Sequence, residues 1–420
     1  MSGCISNIDL DYRPLRSSDA ELHSRAEGER RIHVIKQRRL LAYVQLSAIG
    51  AFVWRRLDGR LSIRELALEV ARAGGTCEPS ALVALVRAWA SRGFIADVNP
   101  PERRVPATRG RWRMILRRCH WALTWKQAWP GADACIARAY DLGGFIVFHP
   151  GMLLAMALLA GAGLVSFADL LTSHRFAWQL HIGLTQWCLF FIASVLRSMV
   201  HELAHGLAVK HFGREVLGTG WAWNWIAPAL YVNTSDMWLS ARWPRIAVSL
   251  AGPCSDILIA SLAVLSCRLV PPAMSPYVFV FGAHTLLGVV FNMCPLLKGD
   301  GYCILVDALG RRNLRADSIR WLWFGWFRKW RDLRALREHT VETMYGLGVL
   351  LYLVAIAYFA VVHCRNLATD MLSGNLSPAA VSLLGWLTVL ALSLPLVMGF
   401  AGEIIESKRN QGNFHVNSPL

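Results

Sequence analysis

Six hydrophobic segments constrain the fold of this 420-residue chain more than any other feature, because each is close to the roughly twenty residues that a helix needs to cross a bilayer. They cover residues 145–168, 180–205, 245–269, 277–296, 341–362 and 379–401. Charged residues make up only 17% of the chain, against about 25% in ordinary soluble proteins. The sequence therefore predicts a mainly α, polytopic helical membrane protein with about six transmembrane helices.

The distribution of basic residues predicts the orientation of these spans. The loops after the first and fifth spans contain one basic residue each, Arg175 and Arg365, and the loop after the third contains none. Residues 298–340 contain ten, and the C-terminal tail adds Lys408 and Arg409. Because cytoplasmic loops are enriched in Lys and Arg, we predict an inner (plasma) membrane protein with both termini in the cytoplasm. This orientation also accounts for the net charge of +16.

The chain before the first span divides into a polar start and a segment of soluble type. Residues 1–29 mix acidic, basic and Ser residues without the pattern of a secretory signal, and we expect a flexible leader there. Residues 30–98 predict short strands around Ile32–Ile35 and Tyr43–Leu46, three short helices, and a small wing strand at Gly93–Ile95. This is a small winged-helix-like α+β domain.

A domain of this kind can have either of two functions. One is DNA binding, and the other is peptide binding by strand addition at an exposed sheet edge. The segment resembles PqqD-like domains in three patterns: Leu-Ser-x-x-Gly at 46–50, Leu-Asp-Gly at 57–59 and Ile-x-Glu-Leu at 63–66. PqqD-like domains recognise the leader peptides of ribosomally made peptides. The resemblance implies that residues 30–98 bind such a leader.

Residues 99–140 form a basic, aromatic segment before the first span. Nine Lys and Arg residues between positions 101 and 138 are interleaved with four Trp residues. Basic residues with aromatics bind either nucleic acid or an anionic membrane surface. Because a hydrophobic span follows directly, we expect a juxtamembrane linker that contacts the lipid bilayer, and no nucleic acid partner.

The motif His201-Glu202-Leu203-Ala204-His205 lies at the end of the second predicted span. Residues four apart share one face of a helix, so both imidazoles can reach a single Zn²⁺, with Glu202 as general base for a water molecule. The predicted topology puts the motif near the cytoplasmic boundary. The alternative is that two packing histidines happen to lie on a membrane helix.

A third zinc ligand is expected because catalytic zinc sites have three protein ligands and one open position. The fourth predicted span ends with Asn292, Pro295 and Asp300-Gly301, and it runs in the same direction as the second. Asp300 is therefore expected at the depth of His201 and His205. The alternative is a turn at a helix end that carries no function.

These residues together resemble the site-2 protease family of intramembrane zinc metallopeptidases. The matching elements are H-E-x-x-H at 201–205, N-x-x-P at 292–295 followed by Asp300-Gly301, and the A-G-P segment within 245–260. The resemblance implies that Asp300 is the third zinc ligand. Residues 229–239 and 299–310 are similar to a bacterial branch of peptide zinc metalloproteases that carry PqqD-like domains. Asn292 is expected to hydrogen-bond substrate or oxyanion.

Two positions depart from the family pattern. Gly299 replaces the usual Leu before Asp-Gly, a change expected to loosen Asp300, and Asp256 replaces the Asn that follows A-G-P. An ionisable group inside a span usually faces a cavity or a partner. We expect residues 218–236 to form either a hairpin that shields zinc or pairs with substrate, or an interfacial aromatic loop. His284 is expected to be a packing histidine.

The sequence thus predicts a zinc-dependent metalloprotease with a six-span membrane domain at 141–405 and a cytoplasmic tail at 406–420. Its expected substrate is a peptide or a membrane-anchored protein, and its expected setting is ribosomal-peptide maturation or export, with modification or export proteins as further partners. Two rivals stay open: a non-proteolytic membrane component that binds or exports a modified peptide, and a membrane-tethered DNA-binding regulator.

Overall fold

A computed structural model describes residues 5–27, 30–40, 42–98, 126–173, 184–224, 227–311, 313–326 and 332–359, together with 382 and 386. The chain divides into two compact units. The first contains the described residues up to Leu158 and Trp187–Gly252, and the second contains those of Leu159–Gln186 and from Pro253 onward.

The first unit begins with a three-stranded antiparallel sheet. Its strands are β1 (Ala20–Glu27), β2 (Arg30–Gln37) and β3 (Ala42–Leu46), in the order β1-β2-β3. In the register of this sheet, Leu22 pairs with Ile35, which pairs in turn with Val44. The two strands predicted for this region are therefore confirmed, and β1 is an additional strand.

Three short helices pack on this sheet: α1 (Ala48–Arg55), α2 (Ile63–Arg72) and α3 (Pro79–Ala90). The side chain of Ser62 accepts a hydrogen bond from the Glu65 amide, and the Glu65 carboxylate accepts one from the Ser62 amide, so the N-terminus of α2 is a capping box. The Trp54 ring lies edge-on to Trp89, with centroids 5.4 Å apart in the core. The three helices agree with the sequence prediction.

The prediction of a flexible leader is wrong for residues 5–27. Ile8 is fully buried in the core of this domain, and the Arg87 guanidinium on α3 donates hydrogen bonds of 2.6 and 3.0 Å to its carbonyl oxygen. Residues 20–27 are strand β1. The segment between them forms two isolated bridges, Leu15 to Asp58 and Arg16 to Ile95, and the second lies where a wing strand was predicted. The polar composition of residues 5–27 gave no indication that tertiary contacts hold this segment in place.

A second sheet combines one strand that precedes the apolar helices with two strands that lie between the second and third of them in sequence. It consists of β4 (Lys126–Ala128), β5 (Thr219–Asn224) and β6 (Ala227–Val232), all antiparallel, in the order β4-β5-β6. The antiparallel pairing of β5 and β6 agrees with a hairpin at residues 218–236, whereas its shielding of zinc and its pairing with substrate stay predictions. The predicted linker is more structured than expected, because its described part contributes β4 and the helix α4 (Ala132–Asp141).

Among the described residues, four helices are long and apolar enough to cross a membrane. They are α5 (Pro150–Thr172), α6 (Leu184–His211, apolar over Cys188–His211), α7 (Arg242–Ser266) and α8 (Ser275–Asn292). The chain continues with α9 (Asp300–Leu309), α10 (Leu314–Arg320), a π-helical turn at Trp321–Trp326, α11 (Leu333–Glu338) and α12 (Thr340–Phe359).

The fifth and sixth predicted spans have different outcomes. The fifth corresponds to α12, whose described apolar part, Thr340–Ile356, is shorter than the four spanning helices. The sixth, at 379–401, lies almost entirely outside the described residues. Within the second unit, small residues allow membrane helices to pack closely. A Cβ at Gly163 on α5 would overlap Ser261 on α7, and the Ser261 hydroxyl donates a 3.3 Å hydrogen bond to the Ala160 carbonyl.

Candidate metal centre

The C-terminal part of α6 brings two histidine side chains together. His201 and His205 are one helical turn apart, and their Nε2 atoms are 3.2 Å from each other. Two nitrogen ligands about 2.05 Å from a tetrahedral zinc ion are separated by about 3.3 Å. The spacing of these two nitrogens therefore suits two ligands of one metal ion. Glu202, between them in sequence, is half-buried.

A main-chain hydrogen bond fixes the tautomer of the buried His205. Its Nδ1 atom lies 2.7 Å from the carbonyl oxygen of Val248 on α7. A carbonyl only accepts hydrogen bonds, so Nδ1 carries the ring proton and Nε2 keeps a lone pair. Metal-binding histidines usually have a partner of this kind on their second nitrogen.

Gly252 on α7 lies directly against the two imidazoles. A Cβ at this position would come within 2.5 Å of His201 Nε2 and 2.6 Å of His201 Cε1, and would also overlap His205 Nε2. Only glycine allows the helix to approach this closely. A side chain at position 252 would fill the space beside the two Nε2 atoms of His201 and His205. This is a physical reason for the glycine in the A-G-P segment.

Helix α4 packs on α6 next to the histidines. A Cβ at Gly206 would come within 2.9 Å of Ile136, so α4 and α6 are in close contact at the residue after His205. Asp133 forms an ion pair with Lys210 on α6 and accepts a 2.6 Å hydrogen bond from the Val216 amide. This helix was not predicted from the sequence, because its residues were assigned to a linker.

Asp300 is the first residue of α9, and Asn292 at the end of α8 holds it at two points. The Asn292 Nδ2 donates a 2.6 Å hydrogen bond to Asp300 Oδ2, and the Asp300 amide donates a 3.1 Å hydrogen bond to Asn292 Oδ1. A Cβ at Gly299 would come within 2.8 Å of the Asn292 carbonyl oxygen. Glycine at 299 thus allows a close turn, and the expectation that it loosens Asp300 is wrong.

His201, His205 and Asp300 are a possible His/His/Asp donor set among the described residues. In the part of the chain that the structure describes, this is the one group of at least three His, Cys, Asp or Glu side chains that could hold a metal ion. Two imidazole nitrogens and a carboxylate oxygen are a donor set that Zn²⁺ accepts. The donor set suits the predicted metal, and the assignment of these three residues as its ligands stays a prediction.

Two other residues singled out by the sequence lie on the apolar helices α7 and α8. His284 on α8 is exposed and lines an apolar cavity of about 470 Å³ with Phe167, Leu287 and Val290, and its packing role stays a prediction. Asp256 on α7 is only 2% exposed. It follows Gly252 by four residues on the same helix, and therefore shares its face.

The sequence is similar to a known bacterial protein. Over 170 residues, 40% of this chain, the sequence is 27% identical to the Bacillus subtilis (strain 168) protein named "Putative peptide zinc metalloprotease protein YydH". The match spans 64% of that relative's own length. The chain matches no protein-family profile and no solved structure.

Proposed function

We propose that this protein is a zinc-dependent metalloprotease of the site-2 protease type. The observation that carries the proposal is the convergence of His201 Nε2 and His205 Nε2, 3.2 Å apart, within a His/His/Asp grouping. The likeness to a relative named as a peptide zinc metalloprotease supports it independently. In this proposal His201, His205 and Asp300 are the zinc ligands.

The residues around the ligands have separate roles in the proposed reaction. Zn²⁺, when bound, supplies Lewis acidity that polarises the scissile carbonyl and makes water more acidic. Glu202 takes a proton from the attacking water and returns it to the leaving amine. The hydrogen bond from His205 to Val248 keeps Nε2 available as a ligand. Asn292, whose amide group is engaged with Asp300, orients that carboxylate rather than the oxyanion.

The proposed substrate is a peptide, or a protein anchored in the inner membrane. Residues 30–98 would bind the leader of a ribosomally made peptide, and the metal centre would cut within the same chain during maturation or export. An extended segment of substrate could add to the sheet at β6, an edge strand in the described order β4-β5-β6. An extended substrate exposes its amide bonds, whereas a helical one does not.

The test uses full-length protein in lipid nanodiscs, loaded with zinc and mixed with a random-sequence peptide library, with products read by mass spectrometry. We expect cleavage that stops on chelation and returns with zinc. Glu202→Gln should keep its zinc and lose about 10²-fold to 10⁴-fold in rate, the usual contribution of a general base. A Glu202→Gln protein that cleaves as fast as wild type would contradict the mechanism. Zinc binding without cleavage by wild type would favour the non-proteolytic rival.

A further inference from the structure

A buried ion pair joins the N-terminal domain to the segment between β6 and α7. Lys36 on β2 donates a 2.7 Å hydrogen bond to Asp236 Oδ1 and a 3.0 Å hydrogen bond to Glu215 Oε2. The Lys36 and Asp236 side chains are only 8% and 4% exposed. Charged groups are rarely buried unless they are paired. Each of the two buried charges is therefore stabilised by the other, although the residues lie 200 positions apart in the sequence.

Further hydrogen bonds complete the surroundings of Asp236. The Tyr43 hydroxyl on β3 donates a 3.0 Å hydrogen bond to Oδ1, and the Glu215 amide donates a 3.2 Å hydrogen bond to Oδ2. Arg25 on β1 adds a 3.1 Å hydrogen bond to the Trp238 carbonyl. All three strands of the N-terminal sheet thus contact the same short part of the chain.

This part of the chain connects directly to the two helices of the metal centre. Glu215 follows α6, which bears the histidines, and Asp236 precedes α7, which bears Gly252. Arg214 donates hydrogen bonds of 2.9 Å to Ser240 Oγ and 3.1 Å to the Leu239 carbonyl, and Arg245 donates one of 2.8 Å to the Ser240 carbonyl. The end of α6 and the start of α7 are therefore tied together where Lys36 binds.

We infer that Lys36 is a positioning residue for the metal centre, acting through Glu215 and Asp236 on the ends of α6 and α7. The inference rests on the proposed function and deepens it. The N-terminal domain would then be a structural part of the protease that holds its two histidine-facing helices, besides recognising substrate. A peptide that changes the position of this domain would change the rate of cleavage as well as the affinity for substrate.

Loss of Lys36 should disturb the metal centre because a buried charge without a partner costs free energy. In a Lys36→Met variant, Asp236 keeps its burial but loses the cation that balances it. The segment 215–240 must then open to water or move, and α6 and α7 move with it. A displacement of about 1 Å at a catalytic site lowers rates by about a hundredfold. The ligands themselves are untouched, so zinc content should stay at the wild-type value.

The experiment compares full-length wild type, Lys36→Met and Arg38→Met in nanodiscs. Arg38 is the matched control, because it lies two residues from Lys36 and its ion pair with Glu21 is solvent-exposed. We expect amide hydrogen exchange in residues 203–215 and 235–248 to rise at least about tenfold in Lys36→Met. On the same peptide library, kcat should fall about tenfold or more while KM changes less than about twofold. Arg38→Met should behave as wild type.

Exchange and kcat at wild-type values in Lys36→Met would overturn the inference. If wild type does not cleave any peptide, the proposed function fails, and the exchange measurement still decides the role of Lys36. Where Lys36→Met does not fold, Tyr43→Phe removes a single hydrogen bond and should raise exchange in the same residues by a smaller factor. Adding Asp236→Asn to Lys36→Met should restore part of the lost protection, because it removes the unbalanced charge. No restoration would contradict the role assigned to this ion pair.

Discussion

His205 donates a hydrogen bond of 2.7 Å from Nδ1 to the carbonyl oxygen of Val248. This bond links a candidate zinc ligand on α6 to the main chain of α7, one turn before Gly252. The position of α7 therefore determines both the tautomer of His205 and the space next to its Nε2 atom. A side chain added to α7 beside the imidazoles should therefore be detected first as altered metal binding.

Gly252→Ala tests this relationship directly. The added methyl group would overlap the nitrogens of both histidines, so either α7 or the imidazoles must move. We expect zinc affinity to fall at least about tenfold, since overpacking of this kind typically costs about 1–3 kcal/mol. The measurement is competition with a chromogenic chelator on the full-length protein.

Gly288→Ala is the matched control for this substitution. Gly288 lies on membrane helix α8, and a Cβ there would meet nothing within 4 Å. The Gly288→Ala protein should therefore bind zinc with wild-type affinity. Equal zinc affinity in Gly252→Ala and Gly288→Ala would show that α7 does not limit the space at the histidines.

Asn292→Ala is expected to weaken zinc binding without removing a ligand. The Asn292 side chain accepts a hydrogen bond from the Asp300 amide and donates one to its carboxylate. Loss of a residue that orients a ligand usually costs about 10-fold to 100-fold in metal affinity. The zinc dissociation constant should rise by this factor, and cleavage should recover when zinc is raised in proportion.

Asn313→Ala serves as the control, because Asn313 is exposed and its side chain makes no capping hydrogen bond at the start of α10. An Asn292→Ala protein with wild-type zinc affinity but no cleavage at any zinc concentration would instead support the role first expected for Asn292, at the substrate or oxyanion.

Sequence patterns correctly predicted the elements that are determined by residues close together in the chain. The capping box of Ser62 and Glu65, the four spanning helices and the spacing of His201 and His205 all depend on residues within a few turns of each other. Burial of Ile8 is different, because its partners come from distant parts of the domain core. Its neighbours in sequence are polar, so no periodic pattern marks it.

The ion pair of Lys36 and Asp236 is the clearest case that the sequence could not reveal. The two residues are 200 positions apart, and each looks like an ordinary surface charge. Only the fold brings them together in a buried place. The same is true of Val248, which contributes a main-chain carbonyl to the metal centre and so leaves no side-chain signal.

The N-terminal domain should stay bound through this ion pair only over a limited pH range. Burial raises the pKa of Asp236, but the hydrogen bonds from Lys36, the Glu215 amide and Tyr43 outweigh it and lower the pKa overall. Burial lowers the pKa of Lys36, but the hydrogen bonds to Asp236 and Glu215 raise it overall. Tyr43 stays a neutral donor, since burial and the charge of Asp236 raise its pKa, although Arg214 opposes this.

The direction of each pKa shift determines one limit of the pH range in which the ion pair stabilises the folded state. A lowered Asp236 pKa stabilises the folded state above the unfolded value of about 4, and this contribution disappears as pH falls through the folded pKa. A raised Lys36 pKa stabilises it below the unfolded value of about 10, and this contribution disappears as pH rises through the folded pKa. Protection factors for residues 215–236, corrected for intrinsic exchange rates, should be constant between these limits and fall outside them. The Lys36→Met/Asp236→Asn double variant should lack both limits, and a wild-type profile in that variant would assign the pH dependence to other groups.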